Sequence, residues 1–269
     1  QVFQKLINPL KGTSGRLAYD LHEHNNSFGS SRAFELVPHL IGKPIIEGGL
    51  VNSAIGSMFA YYMQGETSKN SAGLPVIVNP ATFNFDNATR HLELFNGKHF
   101  IAKWTETQKA LSSSKDWKFL SEAGGWQLYE LLTHDGMYVC IPEKLPIAVR
   151  FDTTKKGRWK KAGMEWIYTI KLVDQPFVFL RKGEPDDEYF KNPIGEDEFL
   201  RYTRAVREGK AQLLPSSAIS SNRAKISDEQ ITDNAIKFRT TGIGLPHLVK
   251  CTYFPNWKVK GAKRVFMVT

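Results

Sequence analysis

Four polar side chains stand close together near the front of the chain: Arg32, Glu35, His39 and Glu47. The planar fork of an arginine suits a phosphate or carboxylate, and a glutamate beside it would serve as a base. Arg32 and Glu35 are also three apart, which turns them to one side of a helix and lets them pair. The competing reading is structural, with Arg32, Glu35 and Glu47 forming an ion-pair network that holds the glycines at positions 48 and 49. His22-Glu23-His24 sets two imidazoles on one side of an extended segment, and a metal would need a third ligand from His39, Glu35 or Glu47. An exposed polar loop explains those residues equally well, and no metal or cofactor is expected. Trp257, after a proline at a strand end, is the ring best placed to stack on a sugar, although most tryptophans serve cores and edges. Arg32, Glu35, His39, Glu47 and Trp257 are thus the binding candidates, and no catalytic residue is assigned.

The common enzyme signatures are missing: there is no nucleophile elbow, phosphate-binding glycine loop, dinucleotide fingerprint or zinc-protease helix. The 269 residues, 41% hydrophobic and 23% charged, suffice for one large core or two modest ones. A net charge of +9 implies attraction to anionic surfaces. Much of the excess falls between Arg150 and Lys182, where no aromatic nucleic-acid motif overlaps it, so nucleic acid is not an expected partner. Cys140 and Cys251, the two cysteines, suit buried thiols or one bridge across a sheet. Asn25-Asn-Ser27 and Asn87-Ala-Thr89 satisfy the glycosylation rule, short enough to arise by accident. No apolar run reaches the ~20 residues of a membrane span. The chain starts at Gln1 and stops within a strand-like run, as expected of a piece excised from a longer protein.

These residues need elements to hold them. Gly15–Leu21 alternates as a strand, residues 32–40 allow about two helical turns ending at Gly42-Lys-Pro44, and Asn52–Gln64 has helical spacing. Leu74–Val78 is a short apolar run. Asp86 is placed to cap a helix that stops at Asn96-Gly97, followed by a strand at His99–Trp104 and a helix from Thr105 or Thr107 to Leu111. A β-hairpin turns at Gly124-Gly125. From Tyr138 strands dominate: Tyr138–Ile141, Ile147–Phe151, Glu165–Lys171, Phe177–Leu180, Ala235–Thr240, Leu248–Phe254 and Trp257–Val259. The fold class is therefore α+β, with an N-terminal layered domain over residues 1–137. A mostly β, sandwich-like domain follows over 138–269, carrying a helical insertion at about 185–209.

Three blocks together resemble a family. Gly29-Ser-Ser-Arg-Ala-Phe-Glu-Leu-Val-Pro-His39 with Gly42-Lys-Pro-Ile-Ile-Glu-Gly48 is similar to a G-S-x-R-x-x-E-x-x-P … G-[RK]-x-x-x-E-G pattern. Leu92-Glu-Leu-Phe-Asn-Gly-Lys-His-Phe-Ile-Ala102 precedes a hairpin ending in Tyr129-Glu-Leu131. Pro246–Ala262 contains Val-Lys-Cys-Thr-Tyr-Phe-Pro-Asn-Trp-Lys-Val-Lys-Gly-Ala. The order resembles polytopic bacterial and archaeal membrane proteins related to 6-pyruvoyl-tetrahydropterin synthase and similar to C-type glycosyltransferases. It covers residues 15–135 and 235–269, leaves 140–230 without a counterpart, and departs at Gly97, where the family carries Val.

The resemblance implies a soluble extracytoplasmic domain of a multi-spanning, glycosyltransferase-like membrane protein, inactive alone and contributing glycan or acceptor contacts or scaffolding. Its implied partners are its own transmembrane region, a glycan or lipid-linked sugar, and an anionic membrane surface. Two alternatives compete: a free-standing carbohydrate-active enzyme drawing its acid and base from Glu23, Glu35 or Glu47, and a carbohydrate-binding module.

Overall fold

The computed structural model describes residues 1–46, 57–69, 81–152, 158–183, 190, 192–219, 224–252 and 256–268. Glu47, Lys155, Lys156, the run Leu74–Val78 and the expected helix start at 52–56 lie outside them. The class is α+β, with several small mixed sheets and no closed barrel among the described residues. The chain divides into two compact units, Gln1–Tyr138 and Val139–Thr269.

In the first unit the elements are α1 (Val2–Ile7), β1 (Arg16–Tyr19), α2 (Val37–Ile41), α3 (Ser57–Thr67), α4 (Phe85–Leu94), β2 (Gly97–Ala102), α5 (Thr105–Ser113), β3 (Trp117–Ala123) and β4 (Trp126–Leu131). The sheet order is β1-β2-β4-β3, with β1 parallel to β2 and the other pairs antiparallel. Successive strand residues point to opposite faces, so each strand feeds two cores. Leu17, Tyr19, Ile101 and Leu128 pack with Leu6, Leu10, Phe34 and Val37. Ala18, Phe100 and Tyr129 pack with Phe85, Leu92, Leu111 and Trp117 on the other side. Covered on both faces, β2 is buried along its whole length.

Local chemistry sets the element ends. Asn84, not Asp86, caps α4: its side chain accepts the Asn87 amide at 3.1 Å, leaving Asp86 in the first turn. The hairpin turns where Gly124 and Gly125 take φ of 61° and 81°, the left-handed pair that matches strand twist. A 3-10 turn at Ala33–Leu36 runs into α2, which Gly42 stops at φ 72°. Beyond it Pro44 and Ile46 exchange backbone hydrogen bonds with Leu17, setting Ile45 parallel to β1.

The second unit holds β5 (Val139–Cys140), β6 (Ile147–Phe151), α6 (Arg158–Ile167), β7 (Phe177–Arg181), β8 (Ile194–Gly195), α7 (Glu196–Arg207), β9 (Ile226–Thr232), β10 (Ala235–Thr240), β11 (Leu248–Val249) and β12 (Met267–Val268). Its main sheet has the order β12-β7-β6-β8, with β6 parallel to both neighbours; β9 pairs with β10 and β5 with β11. Phe151, Phe177 and Phe179 meet Phe199 of α7, while Ala148, Val178 and Leu180 pack with Phe190 and Phe266.

Several strand expectations change here. Glu165–Lys171 is instead the end of α6 followed by a 3-10 turn at Ile170–Leu172. Its Trp-Ile-Tyr-Thr-Ile run favours strand locally, but Ala162, Trp166 and Ile167 recur at helical spacing and are buried. Of the run Leu248–Phe254, Leu248–Val249 forms β11 and residues 250–252 are not strand, while 253 and 254 lie outside the described residues; Trp257–Val259 forms no strand. Within the helical insertion expected at about 185–209, α7 spans Glu196–Arg207 and residues 185–189 and 191 lie outside the described residues; α6 adds a second helix to the sandwich-like pattern expected. Cys140 and Cys251 are half-buried thiols.

Candidate functional site

Of the sequence candidates, Arg32 and Glu35 meet. Arg32 Nε donates to Glu35 Oε1 at 2.5 Å, with the Arg32 side chain 41% exposed and Glu35 16%. Loss of solvent lowers the Arg32 pKa, but the hydrogen bond and charge of Glu35 together with other charges leave it raised. The pair spans the 3-10 turn whose Ala33 and Phe34 enter the core, so its geometry is that of a turn clamp. His39 lies on the surface in the last turn of α2. Trp257 belongs to the second unit, half-buried, its Nε1 donating to Thr252 O at 3.3 Å.

The rings of His22 and His24 lie 4.6 Å apart. The His22 Nδ1 accepts the His24 amide at 3.0 Å, and its ring lies 4.3 Å from that of Trp104. Burial, His24 and Lys103 lower the His22 pKa. Among the described residues no three His, Cys, Asp or Glu side chains gather as a metal site. The glycosylation pattern at Asn25 is closed too, since that residue is fully buried and accepts from Trp126 Nε1 at 2.9 Å.

What composition and spacing did not disclose is a set of buried ionisable groups in the first unit. Asp20, 1% exposed, accepts the backbone amides of Lys103 and Trp104 and anchors the start of α5; burial pushes its carboxyl up to about 7. Lys43, 2% exposed, reaches Thr13 Oγ1 at 2.9 Å, Thr13 O, Ser14 O and His99 Nδ1. Burial, then the charge of Lys98, lowers Lys43 to about 7, and burial lowers His99 to about 3. Glu66 and His91 meet at 2.7 Å with side chains 2% and 1% exposed. Each group ties segments distant in sequence, and the residue types of Gly42-Lys-Pro44 now have a structural use.

The second unit carries an open cleft of about 460 Å³ at the carboxyl ends of the parallel strands, lined by Arg150, Phe151, Asp152, Lys182, Gly195, Glu196, Asp197, Glu198 and Arg201. Asp152 follows β6, Lys182 follows β7, and Gly195 closes β8 where α7 begins. The connection from β6 leads through α6 to β7 on one side, while β8 flanks β6 on the other. Crevices at such points are where open α/β sheets receive ligands. A signal lay in the sequence: Asp152 ends an apolar strand run and Gly195-Glu-Asp-Glu198 opens a helix, but nothing local says that the two ends meet.

Comparison with protein-family models, curated proteins and solved structures finds no match to this chain.

Proposed function

We propose that the chain is a non-catalytic extracytoplasmic domain of a multi-spanning, glycosyltransferase-like membrane protein, contributing contacts to a glycan or acceptor, or scaffolding for the membrane region. The resemblance of three ordered sequence blocks motivates the reading. The observation that supports it is the commitment of Glu35 to Arg32 at 2.5 Å, which engages one of the three carboxylates from which the enzyme alternative draws its acid and base. Glu23, the other described candidate, is exposed on a 3-10 turn. A glycosidase needs two carboxyls facing each other across a cleft, roughly 5–9.5 Å apart.

Exposed Lys160, Lys161, Lys171, Arg181 and Lys182 support contact with anionic headgroups. No helix among the described residues is long and apolar enough to cross a membrane. In this reading the membrane region belongs to another part of the parent protein. Ligand-observed NMR with neutral oligosaccharides and a lipid-linked sugar tests the proposal. Binding without conversion is expected; complete absence of saccharide binding would remove the glycan role.

A further inference from the structure

The cleft at the carboxyl ends of β6, β7 and β8 has the size of a small-molecule site and a mostly charged lining. Its volume of about 460 Å³ falls within the range of ligand pockets and exceeds what one monosaccharide needs. Three cationic side chains, Arg150, Lys182 and Arg201, face four carboxylates, Asp152, Glu196, Asp197 and Glu198, around Phe151 and Gly195. The near balance of charge disfavours a strongly anionic ligand, which the carboxylates would repel. It also disfavours a metal, since no metal-holding group of side chains occurs among the described residues.

Neutral hydroxyls suit this lining. A carboxylate has only acceptor sites, so it takes hydrogen bonds from two adjacent hydroxyls, whereas a guanidinium donates to ring and hydroxyl oxygens. Asp197, Glu198 and Arg201 engage no partner among the described residues, so their capacity is available to a ligand. Asp152 Oδ2 sits 3.8 Å from Lys182 Nζ. Gly195 adopts φ −73° and ψ 155°, where a side chain would be unstrained, and a Cβ there meets no atom within 4 Å. The glycine leaves space rather than serving a turn.

We infer that this cleft binds a neutral, polyhydroxylated ligand, specifically a pyranose unit of a glycan. The inference rests on the proposed glycan contact and assigns that contact to Asp152 and Gly195–Arg201 instead of Arg32, Glu35, His39 or Trp257.

The experiment is titration of the whole isotopically labelled chain with methyl glycosides and short neutral oligosaccharides, followed by amide shift mapping. Saturable shifts are expected at Asp152 and Gly195–Glu198, with affinity falling at least about tenfold in Asp152→Asn and Gly195→Leu. Arg201→Ala, at an exposed side chain, provides a third variant should either of these alter folding; thermal melting checks all three. Saccharide binding that maps elsewhere and is unchanged in the variants would overturn the cleft assignment while leaving the glycan role intact. Absence of binding to any saccharide would defeat both. Shifts at the cleft with inorganic phosphate but not with saccharides would overturn the assigned ligand chemistry.

Discussion

Asp20 illustrates how burial decides the behaviour of a single group in this chain. Its carboxyl is raised to about 7 by burial, against the lowering effect of the Trp104 and Lys103 amides. The unfolded carboxyl titrates near 3.8, so the folded state holds a proton that the unfolded state has released between those values. Stability from this group is therefore greatest below about pH 4 and is lost as pH rises through 7. In matched melts, the wild type should gain stability relative to Asp20→Asn as pH falls from about 7 to about 4, the window set by that linkage; a pH-independent difference would contradict this. Glu66 gives a second test. Replacing it with Ala leaves His91 buried without its partner, which should cost about 3 kcal/mol in denaturant unfolding; a loss below about 0.5 kcal/mol would show that the pair carries no weight.

At the scale of elements, Gly97 marks a close approach between neighbours. A Cβ at this position would meet Ile46 Cδ1 at 3.0 Å and Leu92 Cβ at 3.1 Å. A valine there would have to push α4 and the segment beside β1 apart, so Gly97→Val should destabilise by about 1–3 kcal/mol. Unchanged denaturation would mean that this contact relaxes freely. The hairpin at Gly124-Gly125, the strand β2 and the helix α5 were legible because a turn pair, an apolar run and a polar start each have a local cause. The end of α6 was not, because β-favouring residues there are overruled by packing of Trp166 and Ile167. Strand β9 was missed for a related reason: its Ile-Ser-Asp-Glu-Gln-Ile-Thr sequence is mostly exposed and owes its form to pairing with β10. The site was less legible still. Arg32 and Glu35 pair as their spacing indicates, but the cleft depends on parallel strand order, which no local pattern encodes.

At the scale of the whole molecule, the +9 charge and the exposed cations of the second unit bear on the proposed anionic surface. Each such cation near an anionic leaflet is worth ~1 kcal/mol. Cosedimentation with phosphatidylglycerol vesicles should be strong at about 0.05 M salt and largely lost at about 0.5 M, as screening shortens the reach of the charges. Lys160→Glu with Lys161→Glu should weaken it further, and binding insensitive to both salt and substitution would exclude this surface.

In the proposed non-catalytic role, Glu35 holds the turn before α2 through Arg32 and does no chemistry. This role is tested most directly by measuring turnover of activated glycosides by the wild type and Glu35→Gln alongside their melting temperatures. The prediction is no turnover by either protein and a small stability loss in the variant, about 0.2–1 kcal/mol for a partly exposed pair. Turnover by the wild type that disappears in Glu35→Gln, with melting unchanged, would contradict it.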